Sequence, residues 1–294
     1  APSPYGLGRG KDVQIAAARK QLVAVWPTAG QGWGGTGPLA SAWSQDAGQH
    51  WQPGPPPAPG FAGGEGYAAI KADAKGRFHL VWLDSRNGKQ ALYSAQSDDG
   101  GQNWGDPLAI DAASCECCTN ELAVSPGGKM LVLYRDIEPR DMALAELAGG
   151  QKWQRRAAVG DFNWHFDGCP EAGGNLAVAD GMLHALIWTG KPGAAGVYHL
   201  ASVDGGHSWS RPQWLADVGS HHLALAARNK GHLATAWGES NGGDVVVAVS
   251  NDGGENWSRR ERFADSSHPR LLATPTGWLL AMLRGHVALV FVRL

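Results

Sequence analysis

The 294-residue sequence has no stretch approaching the roughly 20 consecutive apolar residues of a membrane-spanning helix, which excludes that kind of anchor from the segment itself. It has no block of like charge either. Its 25 Lys and Arg stand against 27 Asp and Glu, a formal net charge of -2, and they are dispersed along the chain. The electrostatic footprint of a nucleic-acid or anionic-membrane binder is therefore missing. Phe, Tyr, Cys and Met are sparse, at 6, 5, 4 and 4 residues, whereas Gly reaches 42 and Trp 14. That balance describes a turn-rich, aromatic chain and excludes a helix bundle. The 43% of hydrophobic residues suffice for one large core or two ordinary domains, and the repeat period decides for one. The segment opens on Ala1-Pro-Ser-Pro4, as a mature exported chain does after signal removal, so the expected location is periplasmic or secreted.

An internal repeat organises the rest. Ser44-Gln-Asp-Ala-Gly-Gln-His-Trp51, Ser97-Asp-Asp-Gly-Gly-Gln-Asn-Trp104, Ser202-Val-Asp-Gly-Gly-His-Ser-Trp209 and Ser250-Asn-Asp-Gly-Gly-Glu-Asn-Trp257 all read S-x-D-x-G-x-x-W. A fifth copy ends in Trp153 but carries Ala148 in place of the aspartate. The five tryptophans stand 53, 49, 56 and 48 residues apart. In such a turn a carboxylate accepts backbone N–H bonds, glycine supplies a positive φ and the indole covers the hairpin. Asp46, Asp99, Asp204 and Asp252 are thus structural turn residues.

Between the turns lie paired apolar segments of strand length. The second member of each pair is Leu22-Val-Ala-Val-Trp26, Phe78-His-Leu-Val-Trp82, Met130-Leu-Val-Leu-Tyr134, Leu183-His-Ala-Leu-Ile-Trp188, Leu233-Ala-Thr-Ala-Trp237 and Trp278-Leu-Leu-Ala-Met282. Six units predict one all-β domain over 1–294, a six-bladed β-propeller with units near 12–60, 61–112, 113–164, 165–218, 219–265 and 266–294. The last unit runs out after three strands, so residues 1–11 are expected to supply its fourth.

Strands alternating in direction put the loops between blades on one face with the loops between second and third strands. That face collects Glu65, Tyr67, Cys115, Glu116, Cys117, Cys118, Trp164, His165, Cys169, His221, His222 and His268 from between blades. Asp84, Arg86, Arg135, Asp136, Arg140, Glu239, Arg284 and His286 come from the other loops. Tyr67, Cys118, Cys169, His222 and His268 occupy similar stations on blades two to six and are expected to converge. His79, His184, His199 and His232 read as packed or capped strand residues, and His50 and His207 as exposed turn residues.

Thiolates and imidazoles meeting at one point suit a soft transition metal, and a thiolate-rich set favours Cu(I), with Zn(II) the alternative. The expected ligands are Cys115, Cys117, Cys118 and Cys169 with His222 and His268. His165, His221, His286, Trp164, Tyr67 and Glu116 are secondary candidates. An even count of cysteines in an exported chain also fits disulfides, with Cys117 or Cys118 bridged to Cys169. A metal site implies a copper donor or acceptor as partner, or a copper-dependent oxidoreductase.

The S-x-D-x-G-x-x-W repeat is the Asp-box and resembles the bacterial neuraminidase repeat family, across nearly the whole chain. That resemblance implies a propeller and raises sialidase activity as an alternative. Sialidases use an arginine triad, a tyrosine nucleophile paired with a glutamate, and an aspartate acid/base. Their first-blade Phe-Arg-Ile-Pro motif is missing: the segment here is Lys11-Asp-Val-Gln-Ile-Ala-Ala-Ala-Arg19. Cys115-x-Cys-Cys118, Glu121-Leu-Ala-Val, Tyr134-Arg-Asp136, Arg140-Asp141 and Asp167-Gly-Cys-Pro170 together resemble an exported sialidase-like subgroup with C-x-C-C and G-C-P motifs. The sequence departs from that pattern after Pro170, with Glu171-Ala-Gly-Gly. A disulfide-stabilised carbohydrate- or protein-binding propeller is the third possibility.

Overall fold

Short apolar segments broken by glycine-rich turns fold here as antiparallel meanders, each segment pairing with the next in the chain. The structure is a computed structural model that describes residues 10–32, 35–60, 63–217, 219–229, 231–239, 243–285 and 288–293. The first sheet comprises β1 (Gln14–Ala18), β2 (Gln21–Ala29), β3 (Thr36–Ser44) and β4 (Gln52–Gly54). The second has β5 (Gly66–Ala72), β6 (Phe78–Asp84), β7 (Ala91–Ser97) and β8 (Leu108–Asp111). The third has β9 (Glu121–Val124), β10 (Met130–Arg135), β11 (Met142–Ala148) and β12 (Lys152–Val159). The fourth has β13 (Asn175–Ala179), β14 (Met182–Thr189), β15 (Gly196–Ser202) and β16 (Gln213–Ala216). The fifth has β17 (Ser220–Ala227), β18 (Leu233–Glu239), β19 (Asp244–Ser250) and β20 (Ser258–Phe263). The sixth has β21 (Ser266–Thr274), β22 (Gly277–Arg284) and β23 (Ala288–Arg293).

These six meanders are the blades of an all-β propeller, and no described residue lies in an α-helix. Among the described residues no helix is long and apolar enough to cross a membrane. The sixth sheet has three strands among the described residues; the fourth strand expected from residues 1–11 falls largely outside them. The chain forms two compact units, residues 1–124, 128–137 and 145–155 in the first and residues 125–127, 138–144 and 156–294 in the second.

The burial gradient explains the sequence pattern. Second strands are covered on both faces and read as continuous apolar runs, so every residue of β6 and β10 is buried. Outer strands such as β12 and β16 have one solvent face and mixed composition. In the first unit Val23, Leu39, Ile70, Phe78, Leu80, Trp82 and Tyr93 pack as one core. In the second, Leu186, Val197, Leu225, Trp237 and Val246 form one cluster and Val245, Val247, Leu280 and Met282 another.

The four S-x-D-x-G-x-x-W turns share one set of bonds. Each serine hydroxyl donates to its aspartate at 2.7–2.9 Å, as in Ser97 to Asp99 and Ser250 to Asp252. Each carboxylate then accepts the backbone N–H four residues on, from His50, Asn103, Ser208 and Asn256. Backbone and side-chain bonds from His50, then the Ser44 hydroxyl, hold the Asp46 carboxyl well below the usual range. The second glycine of the turn is set by close approach as well as by a positive φ. A Cβ on Gly206, at φ +90°, would lie 2.2 Å from Leu144 Cδ2, and one on Gly254, at φ +93°, would lie 2.1 Å from His199 Cε1. Ser97 is buried and its oxygen accepts the Gly101 N–H at 2.8 Å. Ser97→Ala leaves that donor without a partner and is expected to lower unfolding free energy by about 1–3 kcal/mol in urea titrations.

Candidate metal centre

The C-x-C-C segment lies in residues 112–120, between β8 and β9, where no strand ladder runs. Three backbone contacts seat it. Ser114 forms an isolated antiparallel bridge with Asp136, its N–H donates to the Gln90 carbonyl at 3.1 Å, and the Cys115 N–H donates to the Arg135 carbonyl at 3.0 Å. Downstream, the Asn120 side-chain amide donates to the Tyr67 carbonyl at 3.0 Å. This seating buries all three cysteines of the segment, with Cys115, Cys117 and Cys118 each 0–1% exposed. Their sulfurs all lie within 4.8 Å of one another, and those of Cys115 and Cys117 are 3.9 Å apart.

The sulfurs are not thiolates in this structure. Cys115 and Cys118 form a disulfide with a Cα–Cα separation of 5.9 Å, within the ordinary range. Cys117 and the half-buried Cys169 are also disulfide-bonded, and no cysteine is free. The four cysteines expected as thiolate ligands are thus oxidised here, and Cys118 is paired with Cys115 rather than with Cys169. A bonded sulfur carries no thiolate charge and is a poor ligand.

The imidazoles expected as ligands do meet. His222 and His268 are half-buried, with ring centroids 4.1 Å apart and planes inclined by 31°. The cause is local backbone: both residues adopt the left-handed conformation, at φ 51° and 53°, as does Tyr67 at φ 53°. In all three blades the inner strand slips register at that point, between Gly66 and Ala69, His221 and Ala224, and Ser267 and Arg270. A bulge there turns the side chain away from the face it would take in a regular strand.

Cys118 and Cys169 do not share this station. Neither has a positive φ, and the strands that follow them begin at Glu121 and Asn175. The five-blade alignment is corrected to Tyr67, His222 and His268; the two cysteines sit in the loops ahead of their strands. The trio Cys115, Cys117, Cys118 belongs to the first compact unit and the His222–His268 pair to the second.

The secondary candidates lie in varied surroundings. His165 is exposed and pairs with Glu138, and its Nε2 lies 3.1 Å from the Asn163 side-chain oxygen. Trp164 is buried and stacks on Phe166 at 5.3 Å. Tyr67 is buried, and Glu116 is half-buried between the cysteines. The side chain of His221 and all of His286 lie outside the described residues.

Two titratable clusters went unread in the sequence. Glu65 and Asp84 are fully buried around Arg86, whose Nη2 donates to Asp84 at 2.6 Å and lies 3.5 Å from Glu65. Burial pushes the Glu65 carboxyl up to about 7, against a hydrogen bond from the Leu39 N–H; the Asp84 charge adds to the rise and Arg86 opposes it. The second cluster is a histidine pair. His184 Nδ1 lies 3.2 Å from His199 Nε2, both residues are buried, and Trp257 meets His199 edge-on. Burial pulls the His184 imidazole down to about 4. Burial, then the neighbouring His184, brings His199 to about 3, with the Gln213 side chain opposing. Sequence alternation marks these histidines as packed, but their contact depends on cross-strand register that only the fold supplies.

Fold and site together define a six-bladed β-propeller with a buried sulfur cluster beside its third blade. Solved structures share that fold. The Hadza microbial sialidase Hz136 aligns with a TM-score of 0.61 at 15% identity over 95% of this chain and 64% of its own. A protein of unknown function from Dyadobacter fermentans aligns at 0.64, 14% identity, 95% of this chain and 92% of its own. The NanB sialidase of Streptococcus pneumoniae aligns at 0.62, 9% identity, 95% and 66%. The chain thus spans about two thirds of the length of these two sialidases. No family model matches the sequence. No curated protein sequence matches it either.

Proposed function

We propose that this chain is an exported Asp-box propeller that binds a soft transition metal, Cu(I) before Zn(II), through the reduced thiolates of Cys115, Cys117 and Cys118. The observation that carries the reading is the proximity of three buried sulfurs. Three sulfurs bonded at about 2.3 Å to one ion in a plane stand about 4 Å from one another. The Cys115–Cys117 separation is already 3.9 Å and no pair exceeds 4.8 Å, while Cys115 and Cys118 are bonded to each other and reach such a spacing only after reduction. The all-sulfur donor set favours a soft ion over Mg(II) or Ca(II), which require oxygen ligands. Within the second compact unit His222 and His268 form a separate imidazole pair. Periplasmic or secreted copper handling is the role this chemistry suits.

Protein purified with a dithiol from copper-supplemented cells is expected to carry copper in a fixed ratio to chain by elemental analysis. The Cys117→Ser, Cys118→Ser double variant is expected to lose most of it. Full retention by the variant overturns the reading, and zinc in place of copper revises the ion.

A second reading is favoured by the disulfides themselves: the cysteines then only staple the loops of a carbohydrate- or protein-binding propeller, and no metal follows reduction. The sialidase alternative is less well served. Arg135 and Arg140 are buried and Arg86 is held by Asp84, which leaves little for an open clamp on a carboxylate. The Tyr134 hydroxyl donates to Asp111, and burial raises its pKa far above a nucleophile's range.

A further inference from the structure

We infer that the metal site is redox-gated: the closed Cys115–Cys118 disulfide is its metal-free state, and reduction by a dithiol opens it to a single Cu(I) ion. The inference rests on the metal-binding reading above and adds its regulation. In the closed state the three sulfurs already lie within 4.8 Å, but each is spent in a disulfide and carries no charge for an ion.

Opening is a balanced exchange. A thiolate of the dithiol attacks one sulfur of Cys115–Cys118, and the other leaves as a thiolate. The second thiol of the reductant then displaces the mixed disulfide, so the reductant departs oxidised and the protein gains two electrons and two protons. The disulfide that holds Cys117 opens by the same route with a second dithiol. Cu(I) next replaces the protons on the three thiols, which pass to solvent, and its oxidation state is unchanged.

The fold permits this although the sulfurs are buried. Residues 112–120 carry no strand ladder and are seated by the Ser114–Asp136 bridge and the backbone bonds to Gln90 and Arg135. Those contacts open locally without breaking the four-stranded ladders of the second and third sheets. Both strands that flank the segment, β8 and β9, are only four residues long. The short Cys115–Cys118 spacing of three residues keeps both sulfurs in place after reduction, so the open state is preorganised for the ion.

The test is an anaerobic titration of the full chain against Cu(I) held by a chromophoric chelator of known affinity. Three forms are compared: oxidised, reduced with a phosphine and desalted, and reduced then reoxidised with an oxidised dithiol. The reduced form is expected to withdraw one Cu(I) per chain with an apparent affinity at least about 100-fold above the other two, each tenfold step being about 1.4 kcal/mol. Reoxidation is expected to release the ion. Equal uptake by the oxidised form overturns the gate and leaves the metal reading standing; no uptake by any form sinks the metal reading itself. The Cys115→Ser, Cys118→Ser variant cannot close the gate and lacks two donors, so it is expected to bind weakly in every redox state; tight uptake by it overturns the gate. Near-UV circular dichroism of the tryptophans reports folding throughout. A reduced chain that has lost that signal, and does not regain it with Cu(I), also overturns the gate, because its open state is not a folded site.

Discussion

Acidification from pH 6.5 to 4 is expected to destabilise this protein, and most of the effect is expected to vanish when His184 and His199 are both replaced by leucine. Both imidazoles have folded pKa values below the ordinary 6.5, about 4 and about 3. The unfolded chain therefore binds more protons than the folded chain below pH 6.5, and stability falls with the pH until the folded values are reached. Each pKa unit carries about 1.4 kcal/mol, so each ring lowers stability by about 3 kcal/mol by pH 4 and the pair by on the order of 6 kcal/mol. Protonating either ring also places a cation in contact with its partner, 3.2 Å away. Glu65 works in the opposite sense. Its raised pKa makes stability fall as pH rises from 4.5 to about 7, so the measurable quantity is the difference between wild type and variant. Urea unfolding followed by tryptophan fluorescence at pH 7, 6, 5 and 4 gives that difference. A wild-type and variant pair that run parallel across this range would sink the assignment.

The second large effect is expected from one methyl group. Gly254→Ala puts a Cβ 2.1 Å from His199 Cε1 and holds an L-residue at φ +93°. Backbone strain of about 1–2 kcal/mol adds to overpacking of about 1–3 kcal/mol, so a loss of roughly 2–5 kcal/mol is expected. The clash belongs to a pair, and Gly254→Ala combined with His199→Ala is expected to lose less than the two single changes together. The difference should exceed about 1 kcal/mol, the coupling expected of side chains in contact. Strict additivity in urea titrations would show that backbone strain alone carries the cost.

These two sites illustrate what the sequence discloses. Gly254 is readable as an obligatory glycine from the repeat, since four turns place glycine at that position. The imidazole it rests against is not readable, because His199 comes from another blade. The same limit applies at the sulfur cluster. Cys115-x-Cys-Cys118 announces proximity by spacing alone, and the trio is as compact as that spacing requires. Which sulfurs bond depends on the backbone of residues 112–120, an irregular stretch without periodicity to read. The blade strands were legible because their apolar runs repeat. The alignment of Cys118 and Cys169 with the histidines failed where the repeat lapses: β9 and β13 start three and six residues beyond these cysteines, and the loop before β13 carries left-handed residues at Asp161, Asn163 and Glu171.

The left-handed station shared by Tyr67, His222 and His268 bears on how such a protein changes over time. It is a socket defined by backbone alone, repeated on three blades and filled by an aromatic ring in one and imidazoles in two. A single codon change at a socket exchanges the chemistry presented there without disturbing the ladder that builds it. The scaffold and the ligand set can therefore diverge at different speeds, so that one architecture accumulates many chemistries while its turns stay recognisable.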